Sequence, residues 1–218
     1  MTASTMSTSV QVVSEQLAPA PAAPGESPRR STMPPAGSQL PERAPKAPAP
    51  GSIVPSHYQR CFGCGPDHTH GLHVRVTAGE GLTVAAQFTV MEQHQGAPGL
   101  AHGGLLVTAI DDTLAGLNWL LDTPAVTGRL ETSFRRPVPV GAVLHLTAEI
   151  TGVHRRLVYC RAEARMNAAD GPIAVTALAV FVQVPVQHFV THGRAEDVEQ
   201  AKTDEQVGHY LQHLEVNP

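Results

Sequence analysis

The 218-residue sequence predicts an α+β domain in which an antiparallel β-sheet wraps around one long central helix. Two strand-like runs come first, one helical run follows, and four strand-like runs come after it. Short turns join the consecutive strands, which is typical of antiparallel pairing. A helix of about nineteen residues is long enough to cross such a sheet and cover one of its faces.

Turn residues separate the predicted strands and the helix. LHVRVTA and LTVAAQFTV, separated by the turn GEG, are typical of a hairpin. The helix extends from about Gly103 to Leu121, because its apolar residues fall at helical spacing and no proline interrupts it before Pro124. The later strands are AVTGRLETSF, AVLHLTAEITG, RLVYCRAEARM and IAVTALAVFVQV, separated by PVPVG, VHR and NAADGP.

The beginning of the chain is rich in Ala, Pro, Ser and Thr, as in QLAPAPAAPGESPRR. This composition buries too little apolar surface to offset the entropy lost on ordering. We therefore expect a disordered arm over residues 1–52, one domain over residues 53–190, and a polar helix or tail over residues 191–218.

Composition excludes several classes of partner and location. The net charge of −4 and the pI of about 6.3 argue against nucleic acid as a partner. Three cysteines are too few for a disulfide scaffold and favour a reducing compartment. We see no apolar stretch of signal-peptide length and no membrane span, so we expect a soluble cytoplasmic protein.

Two adjacent carboxylates lie in the apolar helical run. At about 100° per residue, Gly104 and Asp111 share one side of the helix, whereas Asp112 falls on its flank. The side that we assign to the sheet carries Leu106, Ala109, Ile110, Thr113, Leu117 and Leu120. The two aspartates are therefore not equivalent.

The beginning of this helix suits a polarised carbonyl oxygen. Its first turn has free N–H groups and the positive end of the helix dipole, and Gly103 and Gly104 let a substrate approach the backbone. A partly apolar setting would raise the pKa of Asp111 toward that of a general base. Together these groups predict a hydrolytic site, the plainer alternatives being a solvated aspartate and an ordinary helix start.

Spacing adds a constraint on this site. Seven residues at about 1.5 Å each separate Gly104 from Asp111 by roughly 10 Å along the helix axis. One carbonyl carbon and one bound water cannot easily contact both groups of a single helix. Two such helices packed antiparallel about a two-fold axis bring Gly104 of one near Asp111 of the other, so we expect a homo-oligomer.

GAPGLAHGGLLVTAIDD, followed by VTGRLETSFRRPVPVG, resembles the hotdog-fold acyl-CoA thioesterases of the PaaI-like branch. The resemblance covers roughly residues 58–186, and QRCFGCGPDHTHGLHV resembles the segment before the first strand of many members. It implies the hotdog fold, an antiparallel dimer or a tetramer, and thioester hydrolysis. Asp112 beside Asp111 gives two candidates for the family's carboxylate, and helix phase favours Asp111.

The same resemblance assigns roles to residues of this chain. His102 and Gly103 shape the turn, and the Gly104 amide polarises the thioester carbonyl. Asp111 activates water or attacks directly, and Thr127 lies where many members have a Ser or Thr that orients the water. No metal or redox cofactor is needed.

Further residues are candidates for substrate binding. By the same resemblance, Gln95 lies in a loop where some relatives make a polar contact to the thioester. Two arginine pairs, Arg135 with Arg136 and Arg155 with Arg156, are candidates to contact coenzyme A phosphates, the alternative being surface arginines at strand ends.

The segment before the first strand also contains residues that bind metals in other proteins. Cys61 and Cys64 are spaced C-x-x-C, and His57, His68 and His70 lie nearby. A second, distant ligand pair is not evident in the sequence. The family resemblance suggests a structural loop, and we expect no metal there, a zinc site being the open alternative.

We thus predict a thioesterase that converts acyl-CoA to a carboxylic acid and free coenzyme A, in lipid or aromatic acyl metabolism. An acyl carrier protein is a second candidate carrier of the acyl group. Two alternatives stay open: a hydratase or dehydratase acting on an acyl thioester, and a non-catalytic module that binds acyl-CoA.

Overall fold

The computed structural model describes residues 31–204, and residues 1–30 and 205–218 lie outside this description. An antiparallel six-stranded sheet has the order β1-β2-β6-β7-β8-β5, and β3 pairs with β4 separately. The strands are β1 Arg75–Ala78, β2 Thr83–Thr89, β3 Gln95–Ala97, β4 Leu100–Ala101, β5 Ala125–Phe134, β6 Val143–His154, β7 Leu157–Met166 and β8 Ile173–Gln183. The helices are α1 Gly103–Ala115, α2 Gln187–His192 and α3 Ala195–Lys202.

The helix α1 packs across four strands of the sheet, β2, β5, β6 and β7. Burial alternates along the strands with the period of the pleat, and in β2 Val84, Ala86 and Phe88 face the core. All six helical residues assigned to the sheet are buried: Leu106, Ala109, Ile110, Thr113, Leu117 and Leu120. The predicted α+β architecture and the core face of the helix are confirmed.

The helical run ends differently from the prediction. The α-helix stops at Ala115, and a 3₁₀ segment, Gly116–Leu120, completes it. A side chain at Gly116 would meet β1, because a Cβ built there comes within 2.8 Å of Val76 Cγ1. Glycine therefore lets the last turns approach the sheet closely.

Residues 31–52, within the predicted arm, lie against the domain. Gln39 and Val153 exchange backbone hydrogen bonds of 3.0 and 2.7 Å. The Arg43 guanidinium donates to the carbonyl of Gly79 at 2.7 Å. Composition indicates that such a segment cannot build a core of its own, but β6 and the β1–β2 turn supply hydrogen-bond partners for it. The rest of the predicted arm lies outside the described residues.

Two short helices follow the last strand. Val190 of α2 and Val198 and Ala201 of α3 form a small apolar cluster against Tyr58. The predicted C-terminal helix or tail thus begins as two helical pieces, and its remainder lies outside the described residues. None of the helices described between residues 31 and 204 is long and apolar enough to cross a membrane.

Candidate functional site

A cavity of about 790 Å³ lies beside the middle of α1. Its walls come from α1, the beginning of β5, the segment before β1, and the helices α2 and α3. Most of the lining is apolar, and the polar residues Asp111, Asp112 and Thr127 are among those that line the cavity. An apolar cavity with a few convergent polar groups is the usual form of a small-molecule site.

The structure brings Asp111 and Thr127 together. Thr127 Oγ1 donates a hydrogen bond of 3.0 Å to Asp111 Oδ1. The pairing of β5 with β8 shifts register between Thr127 and Arg129, where Gly128 forms a bulge. Such bulges re-aim neighbouring side chains, and this one accompanies the turn of the Thr127 hydroxyl toward the helix.

Asp111 keeps contact with the cavity although it is partly buried. Burial raises the pKa of its carboxyl above the ordinary value, and the hydrogen bond from Thr127 lowers it in part. The carboxylate therefore combines a fixed orientation with a raised basicity.

Asp112 has different surroundings, because the segment before β1 covers it. Its residue is only 8% exposed, and burial raises the pKa of its carboxyl to about 7. Cys61 Sγ donates to Asp112 Oδ1 at 3.6 Å, and His57 Nε2 lies 4.0 Å from the same oxygen. The other oxygen, Oδ2, is buried and has no hydrogen-bond partner within residues 31–204.

The covering segment fits closely against the helix. A Cβ built on Gly63 would lie 2.4 Å from Asp112 Oδ1 and 2.9 Å from Asp112 Cβ, so only glycine allows this approach. The Cys64 thiol lies 3.3 Å from His57 Nδ1. Hydrogen bonding from Cys64 lowers the pKa of the Cys61 thiol, whereas the same bond and burial raise the pKa of the Cys64 thiol.

A second cavity, of about 420 Å³, lies at the beginning of α1. Its lining includes His102, Gly103, Arg135 and Arg136. One of the two predicted arginine pairs therefore lines the same cavity as the glycine turn. The Gly104 amide, however, donates to His102 Nδ1 at 3.0 Å. His102 is therefore the N-cap of α1, and within this chain the predicted carbonyl donor is already hydrogen-bonded.

Three predicted binding residues lie apart from both cavities. The amide of Gln95 is engaged within its own loop, since Nε2 donates to Glu92 Oε2 at 2.6 Å and Oε1 accepts from the Gly99 N–H at 2.7 Å. Arg155 and Arg156 are exposed in the β6–β7 turn. None of the three lines either cavity.

Sequence reasoning missed that Asp112 meets the cysteine segment. His57, Cys61, Cys64 and Asp112 place their potential ligand atoms within 4.8 Å of one another. The flank position of Asp112 in the helix and the glycine between the two cysteines were the available signals. His68 and His70, also considered from the sequence, are not part of this group.

Comparison with known proteins finds matches to the middle of the chain. Residues 98–167 match the family model described as the thioesterase superfamily. A curated relative, acyl-coenzyme A thioesterase THEM4 of Xenopus laevis, is 27% identical over 90 residues, which are 41% of this chain. The match spans 40% of the length of that relative.

The domain is also similar to solved structures. A thioesterase superfamily protein of known crystal structure is similar with a TM-score of 0.53 and 26% identity, over 57% of this chain and 61% of that one. The E. coli PaaI protein of the phenylacetic acid degradation operon is similar with a TM-score of 0.48 and 18% identity, over 52% and 80%. The hotdog fold and the resemblance to the thioesterase superfamily are confirmed.

Proposed function

We propose that this chain, of which residues 98–167 match the thioesterase superfamily model, hydrolyses an acyl-coenzyme A thioester to a carboxylic acid and free coenzyme A. The observation that carries the proposal is the hydrogen-bonded pair of Asp111 and Thr127 in the wall of the larger cavity. The match to a relative named acyl-coenzyme A thioesterase supports coenzyme A as the thiol carrier. The apolar lining supports an acyl group as the occupant.

Asp111 acts as the general base in this proposal. Its carboxylate accepts a proton from a water molecule, and the hydroxide oxygen attacks the thioester carbonyl carbon. The carbon–sulfur bond then breaks, and the coenzyme A sulfur takes the proton back from the Asp111 carboxyl. The hydrogen bond from Thr127 holds one carboxylate oxygen in place, and the Thr127 oxygen accepts a hydrogen bond from the same water.

The developing oxyanion requires a donor that Asp111 does not supply. The Gly104 amide is about 10 Å from Asp111 along α1, so we assign this role to the Gly104 turn of a second copy of the chain. β5 ends the six-stranded sheet, and an edge strand has backbone groups available for pairing with another copy. A two-fold axis at this edge makes the two helices antiparallel.

His102 must release the Gly104 amide for this step. The bond from the amide to His102 Nδ1 is a single neutral hydrogen bond, worth about 0.5–1.5 kcal/mol, and a thioester carbonyl replaces it when the side chain rotates. Arg135 and Arg136 line the cavity next to this turn and are placed to bind coenzyme A phosphates.

The test is thiol release from acetyl-, hexanoyl-, palmitoyl-, phenylacetyl- and benzoyl-CoA, with the wild type and Asp111→Asn in parallel. We expect kcat to fall by about 10²- to 10⁴-fold in the variant, because general-base catalysis contributes that much. Asp170→Asn, an exposed aspartate in the β7–β8 turn, is the matched control and should leave kcat unchanged.

Each other outcome contradicts part of the proposal. Wild-type turnover in Asp111→Asn removes Asp111 from the mechanism. Hydrated or dehydrated acyl-CoA without thiol release identifies a hydratase or dehydratase. Acyl-CoA binding without any chemical change identifies a binding module.

A further inference from the structure

Four side chains that bind metals elsewhere converge on the side of α1 that faces the segment before β1. They are His57, Cys61 and Cys64 of that segment and Asp112 of the helix, and their potential ligand atoms lie within 4.8 Å of one another. The sequence separates Asp112 from Cys61 by 51 positions, so only the fold assembles this group. It is distinct from the pair of Asp111 and Thr127.

Two of the distances within the group match those around a small tetrahedral ion. Bonds of about 2.0–2.3 Å from zinc to N, O and S ligands place neighbouring ligand atoms roughly 3.3–3.8 Å apart. Here His57 Nδ1 and Cys64 Sγ are 3.3 Å apart, and Cys61 Sγ and Asp112 Oδ1 are 3.6 Å apart. With Nδ1 as the ligand atom of His57, the other ring nitrogen, Nε2, faces Asp112 Oδ1 at 4.0 Å and does not bind the ion.

Asp112 is a buried carboxylate with few hydrogen-bond donors around it. A carboxylate buried to this degree usually has a cation or several donors around it. Asp112 Oδ2 is buried without a hydrogen-bond partner in the described part of the chain. The groups within reach of Oδ1 are a thiol and an imidazole, and neither carries a permanent positive charge.

The backbone of the segment holds the two thiols in place. The Gly65 N–H donates to the Cys61 carbonyl at 2.9 Å, which closes a tight turn around the cysteines. The Val74 N–H donates to the Gly63 carbonyl at 2.8 Å and anchors the turn next to β1. The Ser56 hydroxyl lies 3.2 Å from Cys64 Sγ as a further polar contact of a ligand atom.

We propose that His57, Cys61, Cys64 and Asp112 bind a zinc ion. Two sulfurs, one nitrogen and one oxygen form a mixed, borderline-soft ligand set that suits zinc better than magnesium or calcium. Four protein ligands leave no open position, so the ion holds the segment against α1 and takes no part in hydrolysis. Both cysteines bind as thiolates, so any proton that either thiol still carries goes to solvent on binding, with no change of oxidation state.

The assignment separates the roles of the adjacent aspartates. Asp112 becomes a ligand that fixes the wall of the larger cavity, and Asp111 is left to face the substrate. A disulfide between Cys61 and Cys64 is the competing state of the same thiols, but it adds no positive charge beside Asp112.

The first experiment measures metal in the purified full-length chain by inductively coupled plasma mass spectrometry. We expect about one zinc ion per chain in the wild type and at least a tenfold lower content in Cys64→Ser and Asp112→Asn. Cys160→Ala is the matched control, because Cys160 is buried in β7 away from the group, and it should keep its zinc.

The second experiment needs no variant and so does not depend on whether the variants fold. A chelator is used to remove metal from the wild type, and Co²⁺ is then added. We expect the intense absorption of tetrahedral thiolate-bound cobalt and a higher melting temperature with Zn²⁺ than without it. Thiol release is not part of this test, so its outcome is independent of the proposed thioesterase activity.

Three results would overturn the proposal. One is a wild type that holds less than about a tenth of an equivalent of zinc, even after incubation with Zn²⁺, and gives no thiolate–cobalt absorption. Another is zinc content equal in the wild type and in both ligand variants, which places the ion elsewhere. The third is a Cys61–Cys64 disulfide in the freshly purified protein.

Discussion

Asp111 and Asp112 are neighbours in the sequence and lie in different environments. Asp111 is partly buried, is hydrogen-bonded to Thr127 and faces a cavity of about 790 Å³. Asp112 is 8% exposed, is covered by the cysteine segment and has an oxygen without a hydrogen-bond partner in the described chain. A step of about 100° around the helix thus separates a candidate base from a candidate metal ligand.

The partners of a carboxylate decide its chemistry in this helix. Burial raises the pKa of both groups, so burial alone does not distinguish them. A hydroxyl that donates to Asp111 leaves it able to accept a proton from water. Thiols and an imidazole beside Asp112 form a ligand set instead.

The largest effect that we expect is on stability, from a substitution where the cysteine segment covers Asp112. Gly63→Ala places a Cβ within 2.9 Å of three atoms of Asp112, and we expect the free energy of unfolding to fall by about 1–3 kcal/mol. Urea unfolding measures it. Gly103→Ala is the control, because its Cβ meets the exposed ring of Phe134 at 3.3 Å and alanine is favoured in helices. Equal stability of Gly63→Ala and the wild type would show that the segment does not press on the helix.

On the open side, Thr127→Val removes the hydroxyl that orients Asp111. We expect kcat to fall about tenfold, which corresponds to about 1.4 kcal/mol of transition-state stabilisation. Thr132→Val, on the same strand, is the control and should keep the wild-type kcat. The measurement is steady-state thiol release. An unchanged kcat in Thr127→Val contradicts the orienting role.

At the beginning of α1, His102→Ala removes the N-cap of the helix. We expect the free energy of unfolding to fall by about 1 kcal/mol, because the Gly104 amide loses its partner. The kcat should not fall, since the freed amide is the proposed donor to the thioester carbonyl. Urea unfolding and thiol release measured on the same preparation separate the two effects. A large loss of kcat with unchanged stability would make His102 a participant in the chemistry.

The smallest effect that we expect is a pH dependence of stability caused by His94, a buried side chain whose ring is hydrogen-bonded and stacked. It is 4% exposed, its Nδ1 accepts from the Met91 N–H at 3.0 Å, and it stacks on Phe88. Burial lowers the pKa of His94, and a backbone hydrogen bond with Thr89 opposes this in part. As the pH falls, His94 is therefore protonated at a higher pH in the unfolded chain than in the folded one.

His94 thus stabilises the fold fully above its unfolded pKa of about 6.5, and this contribution is lost as the pH falls below that value. His94→Gln keeps an acceptor and does not titrate. Melting temperatures of both proteins at pH values of about 7.5 and 5.5 test this, because other titrating groups cancel in the comparison. A decrease on acidification that is no larger in the wild type than in the variant contradicts it.

Much of the fold was predictable because its signals are local. The alternation in β2 and the helical spacing of the six core residues of α1 report which face of each element is buried. The hydrogen bond between Thr127 and Asp111 is consistent with the roles that the family resemblance implies for these residues. The packing of residues 31–52 was not predictable, because composition describes the segment alone and not the backbone groups that it meets.

Sequence patterns alone establish the order of the elements, the core face of α1 and the separation of the glycine turn from Asp111. Each of these depends on the helix and strand repeats, which span only a few residues. The structure adds the local cap of His102 on Gly104, and long-range packing brings Asp112 to Cys61, 51 positions away. Helix phase put Asp112 on a flank, but which segment covers a flank depends on how the loops pack. That choice is made by contacts far apart in the chain, such as the fit of Gly63 against Asp112.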